Sequence, residues 1–132
     1  MEKKKLFISC PMKGRTEENI KKSMEKMHKL AEIIFDQELE VIDTYIEEPA
    51  PVNVNEGIWY LGNSISMMAE ADYFIGINCH REWIGCELEG NIAHQYDITR
   101  TYIDADQVIS EEEYEVLMAA LHCNRLSRRP YR

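Results

Sequence analysis

The sequence predicts an α/β fold: a Rossmann-like or flavodoxin-like three-layer sandwich, with a mainly parallel sheet of four to five strands flanked by helices. Three observations predict it. Short apolar stretches alternate with longer stretches of helical periodicity, the pattern of linked βαβ units. The stretch Tyr73-Phe74-Ile75-Gly76-Ile77 is apolar throughout, as expected of a strand covered by helices on both faces. After a loop, the run Gly85-Cys86-Glu87-Leu88-Glu89-Gly90-Asn91-Ile92-Ala93 reads as a helix opening on a glycine. The 132 residues carry no internal repeat, low-complexity tract or linker-like segment, so residues 1–132 read as one domain.

The elements follow in order. Residues 5–10 (Leu-Phe-Ile-Ser-Cys after Lys5) read as a buried strand, and Pro11 to Arg15 as a loop containing Gly14. Thr16 is a candidate N-cap with Glu17 and Glu18 in the first turn. Ile20, Met24, Met27, Ala31 and Ile34 then recur at helical spacing, and the methionines read as core filler. Glu40 to Ile46 reads as a second strand, and Glu47 to Asn55, with two prolines, as a loop. Gly57 to Glu70 has helical character, with Ile58, Leu61, Ile65 and Met68 on one face. Tyr73 to Ile77 is the third strand, Gly85 to Tyr96 a helix and Thr99 to Ile103 the fourth strand. Ser110 and Glu113 read as a capping box that opens a last helix through about His122.

Composition narrows the function classes. The net charge of −9 argues against DNA or RNA strands, whose binding rests on phosphate neutralisation by Lys and Arg. A mononucleotide, which needs only a few local donors, remains compatible. No apolar run approaches the ~20 residues that span a bilayer, and the basic start Met1-Glu2-Lys3-Lys4-Lys5 leads into a short strand rather than a signal peptide. The four cysteines, Cys10, Cys79, Cys86 and Cys123, include no Cys-x-x-Cys pair and are expected reduced. The expectation is therefore a soluble cytoplasmic protein with no membrane partner. Cys79, His80 and Cys86 lack an evident fourth ligand, so neither a metal nor a cofactor is expected. Cys86 reads as a small buried residue, with a thiol of lowered pKa as the alternative. The basic tail from Arg125 to Arg132 reads as a solvated terminus, or as a segment docking on an acidic neighbouring subunit.

Two loops follow strand ends and are expected on one edge of the sheet, where open α/β sheets bind ligands. The first, Ser9 to Thr16, ends at a helix N-terminus. Gly14 permits close backbone approach, and Lys13 and Arg15 supply charge, so the loop is a candidate phosphate cradle. It is not a Walker motif, because the Gly-Lys-Ser/Thr order is absent. The second loop, from Asn78, leads to Glu89, which is expected in the first helical turn, held ionised by the helix dipole. A carboxylate so placed is a candidate nucleophile. Its alternative is a surface glutamate that only favours the dipole. As nucleophile on an exposed helix surface, Glu89 changed to alanine should abolish turnover and leave the fold intact, with stability altered by under ~0.5 kcal/mol. Trp59 and Trp83 read either as base-stacking platforms or as core or interface aromatics.

These residues carry a family resemblance over roughly residues 5–104. The first strand with Pro11-Met12-Lys13-Gly14-Arg15-Thr16-Glu17-Glu18, the stretch Leu61-Gly62-Asn63-Ser64 to Ala71-Asp72, and Gly85-x-x-x-Glu89-x-x-x-Ala93 resemble the nucleoside 2-deoxyribosyltransferase-like superfamily. Within it the chain is most similar to a small phage and bacterial branch, related to the deoxynucleoside 5′-monophosphate N-glycosidases. The resemblance implies a five-stranded Rossmann-like domain that cleaves or exchanges the N-glycosidic bond of a deoxynucleoside or its 5′-monophosphate. It places Glu89 at the nucleophile position, where a carboxylate attacks the anomeric carbon as in a retaining glycosidase. It puts substrate contacts at Cys10, Pro11, Met12, Lys13, Gly14, Arg15, Asn63, Ser64 and Gly85. Homo-oligomerisation is implied as well, with active sites completed by a neighbouring subunit.

Three positions depart from the family pattern. Phe7 stands where a tyrosine is usual, Ser64 where an aspartate is usual, and Trp83 where an acid or serine is usual. A retaining site needs an acid to protonate the leaving base. Glu82 and Asp72 are the candidates, Asp72 reading equally as a helix-end or strand-start residue. The competing reading is a non-catalytic protein that senses or sequesters a nucleotide; a third is an interaction protein without a ligand.

Overall fold

The structure is a computed structural model that describes residues 2–46, 48–78 and 83–127, with 121–127 described as backbone. Its elements are β1 (Lys4–Ile8), α1 (Glu17–Phe35), β2 (Leu39–Val41), α2 (Glu56–Met68), β3 (Tyr73–Ile77), α3 (Ile84–Gln95), β4 (Thr99–Ile103), a 3₁₀ turn at Ala105–Gln107, and α4 (Glu111–Ser127). The described strands form one all-parallel sheet in the order β2-β1-β3-β4. This is the α/β sandwich that the sequence predicts, with four strands among the described residues rather than the five that the family resemblance implies.

Strand alternation assigns each helix to a face. Leu6, Ile8, Cys10, Ile75 and Ile77 form one core with Met27 and Ala31 of α1 and Leu117 of α4. Phe7 and Phe74 face the other way and pack with Met68 of α2 and Ala93 of α3. Their rings stack with centroids 5.8 Å apart. Phe7, where a tyrosine was the family expectation, is thus a wholly buried core aromatic.

Local chemistry sets the boundaries. Thr16 Oγ1 accepts from the Asn19 backbone N–H at 3.1 Å and caps α1; Asn55 Oδ1 accepts from the Ile58 N–H at 3.0 Å and caps α2. β2 is shorter than the predicted 40–46. After Ile42, Asp43 Oδ1 accepts from the Tyr45 N–H at 3.0 Å. That local turn competes with strand pairing and takes the chain off the sheet. At α4, Ser110 Oγ accepts from the Glu113 N–H at 3.2 Å, but the Glu113 carboxylate binds Arg15 rather than closing the predicted capping box.

The topology fixes where a ligand site belongs. The chain runs outward from β1 to β2 and, separately, from β3 to β4. The topological switch point therefore lies between β1 and β3, at the carboxyl ends where Ile8 and Ile77 finish their strands.

Candidate functional site

Ser9 directly follows β1 and keeps strand pairing, its N–H donating to the Ile75 carbonyl at 2.9 Å. It alternates with Phe7 and so faces α2 and α3. On α3 the buried residues are Gly85, Cys86, Glu89, Gly90 and Ala93, a single stripe at spacings of one, three and four. Glu89 lies on that stripe, wholly buried, and is the only buried acidic residue among those described. It sits in the second turn of α3, not the first, because the helix begins at Ile84. The dipole effect fades within the first turn, so side chains must hold this carboxylate.

Two hydroxyls do so. Ser9 Oγ donates to Glu89 Oε1 at 2.7 Å, and Ser64 Oγ, from α2, donates to Oε2 at 2.6 Å. One carboxylate thus links β1, α2 and α3 beside the switch point. Isolated burial of a carboxylate is strongly unfavourable; short hydroxyl donors to a charged acceptor are among the stronger neutral-to-ion hydrogen bonds.

Ser64 also lines a cleft of about 1030 Å³, together with Met12, Lys13, Gly14, Lys21 and Asp43. Lys13 is half-buried, and that burial lowers its pKa from the ordinary 10.5. Gly14 adopts φ 78°, a left-handed conformation that glycine reaches without strain. Cys10, Pro11 and Gly85 are buried. Asn63, next to Ser64, lines a second pocket of about 410 Å³ with Asp43, Tyr45, Glu48, Trp59 and Met67.

Arg15 borders the large cleft, but its side chain is fully buried and bonded within the protein. Nε donates to Glu113 Oε2 at 2.8 Å and Nη2 to Glu113 Oε1 at 3.0 Å. Nη2 also reaches Ser23 Oγ at 2.6 Å and the Asn19 carbonyl at 3.2 Å, while Nη1 donates to the Pro11 carbonyl at 3.0 Å. A guanidinium has five N–H donors, so Arg15 braces the loop against α1 and α4, and Lys13 is the loop's cation on the cleft.

The candidate acids separate clearly. Asp72 lies at the opposite sheet edge, where its N–H donates to the Lys5 carbonyl and its Oδ2 accepts from the Lys5 N–H, both at 2.9 Å. It registers the starts of β1 and β3 and cannot reach the switch point. Glu82, like Cys79 and His80, lies outside the described residues. Among the described residues no three His, Cys, Asp or Glu side chains gather to hold a metal. Trp83 is wholly buried in the core, its ring 6.3 Å from that of Tyr114, and Cys86 is buried beside it. Asp43, Lys21 and Tyr60 line the large cleft without having been singled out in the sequence. The turn at Asp43 was hidden because the apolar residues up to Ile46 read as continuing β2.

Fold and site together define a parallel α/β domain with a buried, serine-bound carboxylate beside its topological switch point, bonded to a serine that lines a cleft on the β2 side of the sheet. The chain matches no protein-family model, no curated protein sequence and no solved structure. No described helix is long and apolar enough to cross a membrane.

Proposed function

We propose that the protein cleaves or exchanges the N-glycosidic bond of a deoxynucleoside or deoxynucleoside 5′-monophosphate, with Glu89 as nucleophile. The observation that carries this reading is the placement of Glu89: the only buried acid among the described residues, bound by Ser9 and Ser64, one side chain behind the wall of the large cleft. Rotation of Ser64 about χ1 would release Oε2 and open the carboxylate to the cleft. The oxygen then bonds the anomeric carbon as the base departs with the bonding electron pair and takes a proton from water, and water or a second base resolves the glycosyl-enzyme intermediate. Lys13, beside Gly14 at the cleft, supports a 5′-phosphate on the substrate. The reading extends to a cytoplasmic homo-oligomer, which light scattering on the purified chain tests.

The complete burial of Glu89 favours a second reading, a nucleotide-binding protein whose carboxylate only ties three elements together. One experiment decides. Purified protein is incubated with deoxynucleosides and their 5′-monophosphates, and released base is followed by chromatography. Release that is lost in Glu89→Gln supports the enzyme. Ligand-dependent thermal stabilisation without release from any substrate moves the function to binding.

A further inference from the structure

The two cavities meet along one segment. Asp43, Tyr45 and Ile46, just after β2, line both the large cleft and the 410 Å³ pocket. Their chemistry differs. The large cleft carries Lys13 and Lys21 on its wall. Among the described residues the smaller pocket has no Lys or Arg in its lining; Trp59 and Tyr45 give it aromatic surface, and Asp43 and Glu48 give it carboxylates. Asn63, also in its lining, donates its amide nitrogen to the Trp59 carbonyl at 2.8 Å. A molecule spanning both cavities would meet cations at one end, and at the other an aromatic slot edged by acceptors.

We propose that the smaller pocket is the base subsite, and that its acceptors select bases with an exocyclic amino group, such as cytosine or adenine, over their oxo counterparts. This rests on the nucleoside reading above and names its substrate class. Trp59 stacks on the ring. The Asp43 and Glu48 carboxylates, which in the ionised form can only accept, receive the amino hydrogen bonds. Uracil and hypoxanthine present a carbonyl at that edge, which faces a carboxylate acceptor to acceptor and forfeits the hydrogen bond that an amino group makes there.

The test is quenching of tryptophan fluorescence in stopped-flow mixing, before turnover. Matched pairs are used: 2′-deoxycytidine against 2′-deoxyuridine, and 2′-deoxyadenosine against 2′-deoxyinosine. The expected result is roughly tenfold or greater preference for the amino member of each pair, the scale of one selective hydrogen bond. Asp43→Asn or Glu48→Gln should narrow that preference, while Trp59→Phe should remove most of the quench and leave the remaining Trp83 signal flat. Equal affinity within each pair overturns the proposal. So does the absence of any quench, or a preference that survives both Asp43→Asn and Glu48→Gln. Selective quenching without base release overturns the glycosidase reading alone and leaves the base subsite standing.

Discussion

The Ser64 hydroxyl stands between the large cleft and Glu89: it lines the cleft and donates to Oε2 of the buried carboxylate at 2.6 Å. The family resemblance places an aspartate at this position. A second carboxylate within hydrogen-bond distance of Glu89 would force the pair to share a proton. Serine instead donates a hydrogen bond to Glu89, so the exchange replaces one carboxylate of a pair with a hydroxyl latch. With Ser9 on the other oxygen, the latch fixes the Glu89 carboxylate at both ends.

Glu89→Gln is expected to fold with a small loss of stability and to lose base release. Gln is nearly isosteric, and a hydroxyl can rotate to accept as well as donate, so Ser9 and Ser64 keep partners. Glu89→Ala behaves differently from the surface-residue expectation of under ~0.5 kcal/mol. It strands two buried hydroxyls, at a cost of about 1–3 kcal/mol. Urea denaturation of the two variants beside wild type measures the difference; equal stability of wild type and Glu89→Ala would show that the carboxylate does not hold the three elements together.

Ser9 and Ser64 bind opposite oxygens of one carboxylate. Either serine changed to alanine is expected to destabilise by about 1.5–3 kcal/mol, the range for hydrogen bonds to a charged group. The double variant should lose less than the sum or more than the sum, not the sum itself, because both act through Glu89. A double-mutant cycle with a coupling energy inside about 0.3 kcal/mol would indicate independent sites.

The strands β3 and β4 and most of the packed face of α1 were legible in the sequence because apolar period and strand length agreed there; Ile34, expected on that face, is 47% exposed, and the packed face of α3, rich in small residues, was not read. The position of Glu89 was half legible. Its helix and strand context placed it near the switch point, but the helix start was set one residue late, and its environment was assigned to the dipole. The spacing Gly85, Glu89, Ala93 was already the signal for burial, since small residues four apart on both sides put the glutamate on the packed stripe. Nothing in the sequence paired Arg15 with Glu113, 98 residues apart; a contact of that range depends on how α4 returns to the sheet. Asp43 was missed for a different reason: a side-chain turn after three strand residues has the same apolar surroundings as a longer strand.

Lys13→Ala is expected to weaken 5′-monophosphates about tenfold while leaving nucleosides nearly unchanged, the scale of one charge-assisted phosphate contact. Lys13 is the cation of the loop that faces the cleft, Arg15 being bonded internally. Arg15→Ala should therefore lower stability first, and binding only through the displaced loop. Calorimetric titration of both variants with a monophosphate and its nucleoside separates the two. Equal loss for both ligands in Lys13→Ala would remove the phosphate role.

The Arg15–Glu113 pair predicts a pH dependence of stability. The hydrogen bonds from Arg15 hold the Glu113 carboxyl below its ordinary pKa of 4.5, against the opposing effect of burial, with the positive charge of Arg15 and a hydrogen bond from Asn19 adding to the lowering. A carboxyl with a depressed folded pKa stabilises the native state fully above its unfolded value. That contribution is lost as pH falls from about 4.5 through the folded pKa. The arginine side chain is 0% exposed and the glutamate 17%, so solvent and salt screen the pair little. Glu113→Gln should remove this part of the acid sensitivity: its stability deficit against wild type is largest at neutral pH and shrinks as pH falls below 4.5. Arg15→Ala should be the more damaging change at neutral pH, about 3–5 kcal/mol, because it leaves Glu113 partly buried without its cation. Urea melts of the three proteins from pH 7 down to pH 3 check both statements. A Glu113→Gln deficit that stays constant across that range would place the acid sensitivity elsewhere in the molecule.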